Sequence, residues 1–335
     1  MRSGLIDESE AVLVLGSLNA KPQDRELDRT QIHPVQALTS GGLEPIGLFD
    51  NWGRLGVSSL AWHPDRPTIQ FVATGEALFR LDIDRKEVSP IEVPDLKDIH
   101  ELTVVGDTVW IANTGNDEAI AVDMETGQLR RRLSLAKIRS EVVVQAHDDP
   151  TPDEAVELVD RFHCNQIFEG FDGLLYGLVH HVTGKQIIRK IAEKLIKSHG
   201  NGGLICLDTG RPVPLGLKGP HTVRTVGEHY WLFDSGGASI RVYDADWQPV
   251  ETVRTRGWGR GGWLSGDSKR FYAGISETRK RYRNLPGARY NPNLVEVLDT
   301  ASHDRIGEVV IGSGLEQINN LYVLPAELVS RLESW

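Results

Sequence analysis

Short runs of β-branched and aromatic residues alternate with compact polar breaks along this chain, and the breaks recur at regular spacing. "HELTVVGDTVWIANTGNDEAIAVD", His100 to Asp123, holds a strand, a Gly-Asp turn, a second strand, a polar turn and a third strand. The runs are short, β-rich and bounded by turn signals, as strands are, and almost no long 3.6-residue helical period crosses them. "HTVRTVGEHYWLFD" from His221 repeats the hairpin, and "RGGWLSGDSKRFYAG" from Arg260 repeats it again. The registers agree. His100 to Gly106, His221 to Gly227 and Arg260 to Gly266 each span six residues, and His100 to Asp123 and His221 to Asp244 each span 23.

The third strands share an ending: "LFRLD" at Asp82, "AIAVD" at Asp123, "LICLD" at Asp208, "IRVYD" at Asp244 and "VEVLD" at Asp299. Aspartate suits a strand end because its carboxylate accepts nearby backbone N–H groups and starts a turn. Repeating units of this kind, rich in Gly turns and poor in helical pattern, predict a β-propeller. Counting gives six blades, with innermost strands expected near Ser58, His100, His163, His221, Arg260 and Glu316. The sixth blade has one strand before Trp335, and "AVLVLGSL" and "LEPIGLFD" at the N-terminus are free to supply the rest. The expected fold is all-β: a six-bladed β-propeller, one domain over 1–335, closed by N-terminal strands completing the last blade. A seventh Asp-terminated repeat is absent from the sequence.

Composition narrows the class. Hydrophobic content of 40% and charged content of 25% are those of a soluble globular protein. No apolar run approaches the ~20 residues of a membrane span, and "MRSGLIDESE" lacks the apolar stretch of a secretory signal. Cys164 and Cys206 do not form a disulfide framework. These features predict a cytoplasmic protein with no membrane partner. A formal charge of −10 argues against nucleic-acid binding, which needs a basic footprint.

The blade starts carry a series of motifs: His100-Glu101-Leu102, His163-Cys164-Asn165, Pro220-His221, Arg260-Gly261 and Glu316-Gln317-Ile318. The series resembles an uncharacterised family of bacterial six-bladed propellers with "HEL", "H-x-N", "PH", "RG" and "E-x-I" at successive blade starts. The resemblance covers roughly residues 50 to 325 and implies the propeller fold and a site at the blade starts, but no reaction. "HCNQ" departs from the small residue that usually follows the asparagine.

In a propeller the first strand of each blade lines the central channel, so equivalent positions converge on one axis. Three of the eleven histidines, His100, His163 and His221, start consecutive blades 2, 3 and 4. Converging imidazoles make a facial ligand set for a divalent metal such as zinc, manganese or iron, with Glu316 as a fourth ligand or a base. A metal-free polar pocket and plain channel filling are the alternatives. Filling is the poorest, since each buried polar group left unpaired costs about 1–3 kcal/mol. His163 lies seven residues before Gly170 where six are expected, which sets it off the plane of the other two. Arg260 can hold an anion bidentately. Asn165, Gln317 and His181 are weaker substrate contacts. The glycines of "RGWGRGG" lie in no βαβ unit and are read as letting an inner strand crowd the axis, not as a dinucleotide loop.

Two insertions, 183–200 and 277–293, are expected on the rim where the histidines begin, as lid candidates. The first is an amphipathic helical pattern with Lys185, Arg189, Lys190, Lys194 and Lys197 on one face. The second holds Arg279, Lys280, Arg281, Arg283 and Arg289, of which Arg281 is a candidate substrate contact. A local positive field in an acidic protein attracts an anionic small molecule. The helix face would equally suit a contact with a second copy in a homo-oligomer.

These features support a metal-dependent enzyme of lyase or hydrolase type, acting on a small anionic or carboxylate-bearing substrate at the channel mouth. Glu316 and Arg260 are its candidate catalytic residues. The alternative is a non-catalytic propeller that binds a small ligand or partner protein through its rim loops.

Overall fold

The computed structural model describes residues 4–17, 33–50, 52, 56–139, 161–184, 200–277, 292–311, 315 and 317–335. Three N-terminal strands come first: β1 (Glu10–Ser17), β2 (Val35–Leu38) and β3 (Leu43–Pro45). Blade 1 follows as β4 (Val57–Trp62), β5 (Ile69–Thr74), β6 (Leu78–Asp82) and β7 (Glu87–Ile91). Blade 2 is β8 (Ile99–Val105), β9 (Thr108–Asn113), β10 (Glu118–Asp123) and β11 (Leu129–Ser134). Blade 3 is β12 (Cys164–Glu169), β13 (Leu175–Val179), β14 (Gly202–Cys206) and β15 (Pro212–Leu217). Blade 4 is β16 (Pro220–Val226), β17 (His229–Asp234), β18 (Ser239–Tyr243) and β19 (Pro249–Arg254). Blade 5 is β20 (Trp258–Leu264), β21 (Arg270–Ser276), β22 (Leu294–Asp299) and β23 (Arg305–Val310).

β24 (Gln317–Pro325) pairs with β1, and the sheet runs β24-β1-β2-β3. The last blade thus takes one strand from the C-terminal end and three from the N-terminal end, as expected, although β2 had not been singled out. The antiparallel seam reaches from Glu10↔Pro325 to Ser17↔Gln317. It closes the ring and removes the open sheet edges that two chain ends would otherwise leave. The chain is a six-bladed β-propeller.

Strand periodicity explains why the middle strands read as nearly continuous apolar runs. In β9, Val109 and Ile111 pack toward blade 1 while Trp110 and Ala112 pack toward blade 3. In β10, Ile120 and Val122 take the first side, and Ala119 and Ala121 the second. Both faces of each blade are therefore buried, and six apolar clusters fill the six gaps between neighbouring blades. Helix α1 (Ala326–Glu333) inserts Leu328, Val329 and Leu332 into the cluster between blades 6 and 1. Among the described residues, no helix is long and apolar enough to cross a membrane.

The aspartates at the strand ends act as turn starters in four of five blades. Asp82 accepts from Arg85 N, Asp123 from Glu125 N and Thr126 N, Asp244 from Asp246 N and Gln248 N, and Asp299 from Ala301 N and Ser302 N. Asp208 instead accepts from Leu175 N on the neighbouring strand. The glycines of blade 5 do crowd the axis. Gly261 has φ of +71°, and a Cβ there would sit 2.4 Å from Asn320 Cα. Both the left-handed backbone and the close approach require glycine.

Candidate functional site

Every inner strand carries a β-bulge within its first four residues, where pairing with the second strand skips a position. Bulges re-aim side chains and are common beside active sites. In blade 4, His221 pairs with Phe233 and Thr222 is the extra residue. In blade 3, Cys164 pairs with Val179 and Asn165 is the extra residue. In blade 2, His100 and Glu101 both lie between the pairs Ile99↔Asn113 and Leu102↔Ile111. Cys164, not His163, thus stands in the register of His100 and His221, which accounts for the seventh residue before Gly170. Buried beneath the rim, Cys164 has a thiol pushed up from its usual range by desolvation, and it is inert as a thiolate ligand.

His163 reaches the site from just outside its strand, in the left-handed region with φ of +54°. The Asp117 carboxylate holds that turn, accepting from His163 N (2.9 Å), Phe162 N (3.0 Å) and Arg161 N. Asp117 is itself left-handed (φ +52°) at the end of a 3-10 turn after β9. The blade 2 loop therefore places a blade 3 histidine.

The predicted imidazoles converge. The rings of His100 and His163 are 5.0 Å apart, centroid to centroid, and those of His100 and His221 are 6.4 Å apart. A fourth ring joins them: His180 lies 4.3 Å from His163 and 5.2 Å from His221. His181, named from sequence as a substrate contact, stands at the edge, its ring 6.3 Å from His180. Trp258 closes another side, its ring 5.8 Å from His221.

His180 comes from the end of β13, a second strand, so register among first strands does not find it. The hairpin arithmetic does: with Cys164 opposite Val179, residues 163 and 180 must be neighbours, and His180 N donates to His163 O at 3.2 Å.

Hydrogen bonds set the state of three rings. His100 Nδ1 is 3.1 Å from Asp98 O, and His221 Nδ1 is 2.9 Å from Gly219 O. A carbonyl can only accept, so both rings carry the proton on Nδ1 and keep a lone pair on Nε2. The Ser235 hydroxyl also contacts His221 Nδ1 (2.9 Å) and donates to Gly259 O (2.6 Å). Asn165 Nδ2 lies 2.7 Å from His180 Nε2. Desolvation, aided by the Arg260 charge, pushes the His100 pKa down to about 4 and holds His180 and His221 well below 6.5. Those three rings are neutral at pH 7.

Arg260 is buried and donates from Nη1 to Gln317 Oε1 at 2.9 Å. Gln317, named from sequence as a weaker substrate contact, thus orients the guanidinium of Arg260, which was named for anion holding. Below this layer, Glu101 accepts from Thr222 Oγ1 (2.9 Å) and pairs with Arg224 (2.7 Å). Glu316, the candidate base and fourth ligand, and Arg281 lie outside the described residues, as do most of both rim insertions. Insertion 185–199 joins the described chain at Gly184 and Gly200, four residues from His180 on one side.

A shared metal ion would set the spacing of the rings. Two imidazoles on one zinc at the tetrahedral angle have centroids about 5 Å apart, given bonds of about 2.0–2.1 Å. His100–His163 and His180–His221 match this, at 5.0 and 5.2 Å, while His100–His221 at 6.4 Å is wider. Among the described residues, no three His, Cys, Asp or Glu side chains stand where they could hold an ion together. The Nδ1–H to carbonyl bonds of His100 and His221 are nonetheless the outer-shell contacts that orient metal-binding histidines.

No family model matches the chain, and no curated protein sequence matches it. Solved structures do. A protein of unknown function from Bacteroides caccae aligns over 94% of this chain and 99% of its own, with 11% identity and a TM-score of 0.55. A chain of a nidogen/laminin complex aligns over 94% of this chain and 98% of its own, with 11% identity and a TM-score of 0.54. The likeness is one of fold. A virginiamycin B lyase from Staphylococcus aureus aligns over 77% of this chain and 71% of its own, at 13% identity and a TM-score of 0.46, too low to carry an argument. The propeller expected from the blade-start motifs is thus shared with a protein of unknown function.

Proposed function

We propose that the channel mouth is the active site of a divalent-metal-dependent enzyme, of lyase or hydrolase type, acting on a small anionic or carboxylate-bearing substrate. The convergence of His100, His163 and His221 from three blades, two of them with Nδ1–H committed to backbone and a lone pair kept on Nε2, carries this reading. A bound ion would polarise a substrate oxygen or acidify a water. Arg260, braced by Gln317, supplies the cation for the substrate anion. Both rim insertions are basic in sequence and connect at this rim, which adds to the attraction for an anion.

The 6.4 Å separation of His100 and His221 favours a second reading, a metal-free pocket in which the imidazoles hydrogen-bond the ligand directly. Metal analysis of protein purified without chelator or polyhistidine tag separates the two. The first predicts close to one equivalent of metal, lost in His100→Ala, His163→Ala and His221→Ala. Metal-free protein that retains anion binding sinks the metal and leaves the pocket.

A further inference from the structure

We propose that His180 is the hydrogen-bond donor of this site: a neutral imidazole whose Nδ1–H binds an oxygen of the anionic substrate, its tautomer fixed by Asn165. The proposal rests on the reading of the channel mouth as an anion site, and it does not depend on a metal.

The tautomer follows from one carbonyl. Asn165 Nδ2 lies 2.5 Å from Pro220 O, an atom with lone pairs only, so the amide must turn its NH2 group that way. Its second hydrogen then goes to His180 Nε2, 2.7 Å away, and that nitrogen must be bare. An imidazole whose Nε2 accepts that hydrogen is neutral and carries its single proton on Nδ1. Among the described residues the Asn165 contact is the only hydrogen bond of the ring.

The arrangement has a cost that a filler residue would not carry. Asn165 is 2% exposed, and its Oδ1 is buried with no partner. The bulge residues Glu101 and Thr222 of blades 2 and 4 bond each other, whereas the bulge residue of blade 3 bonds one histidine and the Pro220 carbonyl.

A division of labour results. His100 and His221 offer lone pairs, and His180, packed against His163 and His221, offers an N–H. A neutral imidazole held in one tautomer can serve as electrophile toward a carbonyl or carboxylate oxygen. The ligand class is therefore a small carboxylate or enolate, held by Arg260 and polarised by His180.

NMR of the full chain with 15N-labelled histidine, at pH 7.5, tests both parts using acetate as the probe. The expected result is a bare Nε2 and a protonated Nδ1 on His180, with the Nδ1–H proton shifting saturably as acetate is added. Asn165→Asp puts an acceptor opposite Nε2, should move the proton there, and should weaken acetate at least tenfold. If that variant does not fold, the wild-type spectrum still decides. An Nε2–H tautomer in the wild type overturns the assignment. Saturable acetate binding that leaves the His180 Nδ1–H unmoved overturns the donor role and spares the anion site. No saturable binding, with the tautomer as assigned, removes the anion site itself and the donor role with it.

Discussion

Glu101 of blade 2 and Arg224 of blade 4 meet across the channel, carboxylate to guanidinium at 2.7 Å, beneath the histidines. The blades are not neighbours, so the pair ties together two blades that are separated by a third. The close oxygen and nitrogen make no well-aligned hydrogen bond with each other, so charge holds them more than geometry does. Arg224 is otherwise fixed by Gly262 O, Val223 O and the face of Trp263, 4.5 Å from its centroid. Removing one partner leaves the other charged and buried, which costs about 3–5 kcal/mol. Arg224→Met should therefore lose about that much in urea unfolding, and Glu101→Gln combined with it should recover part of the loss. Equal stability of the single and double variants would show that the pair is not coupled.

Asp117 should matter more than its loop position suggests. Its carboxylate satisfies three consecutive backbone N–H groups and fixes the left-handed turn that presents His163. Each donor left unpaired out of water costs about 1–3 kcal/mol. Asp117→Ala is expected to destabilise by about 2–4 kcal/mol and to move the His163 ring resonances, while those of His221 stay in place. Unfolding curves and histidine NMR spectra read the two effects separately.

The propeller was legible in the sequence because its signals repeat. Five Asp-ended strands and matching Gly spacings restate one unit, so chance agreement at one site does not mislead. The site was legible only where it follows that repeat. His100 and His221 sit in register, and the displaced count at His163 correctly marked a backbone that differs there. His180 was passed over because it rises from a second strand, and its approach depends on hairpin pairing within blade 3, not on symmetry among blades. Asp117 and the Glu101–Arg224 pair were hidden for a further reason: each acts between blades, and repeat spacing carries no information about such contacts.

Acid should weaken the fold through the same histidines. In the folded protein His100 titrates at about 4, chiefly by burial, with His163 and Arg260 adding to the depression and Asp98 opposing it. Burial likewise holds His180 well below the ordinary value, with His163 and His100 adding to it, and holds His221 there with Arg260 and His180 adding. Unfolded, each returns to the ordinary value near 6.5, so between the two values the unfolded chain binds more protons. Stability is therefore full above about pH 6.5 and falls as pH drops toward 4, by at most about 1.4 kcal/mol per pH unit for each ring. Melting temperatures from pH 7.5 to 4.5 should show this slope, and His100→Asn should reduce it. An unchanged slope would mean that this ring is already protonated in the fold.

Ser59 and Tyr322 give a test in which deleting the hydroxyl of the smaller side chain should do the greater harm. Ser59 Oγ lies 2.6 Å from Tyr322 OH and accepts from Leu102 N at 2.8 Å, joining blades 6, 1 and 2 through one fully buried hydroxyl. Burial raises the Tyr322 pKa, so the phenol stays protonated at neutral pH and supplies a proton to that network. Ser59→Ala strands both the Leu102 N–H and the phenol in apolar surroundings, at about 1–3 kcal/mol for each orphaned group. Tyr322→Phe keeps the ring packed against Trp62 and Trp263 and leaves Ser59 with Leu102 as partner, at a cost of about 1 kcal/mol. Thermal unfolding should rank the wild type first, Tyr322→Phe second and Ser59→Ala last. The reverse order would mean that the phenol finds its partner elsewhere and that the hydroxyl is not the joint between these blades.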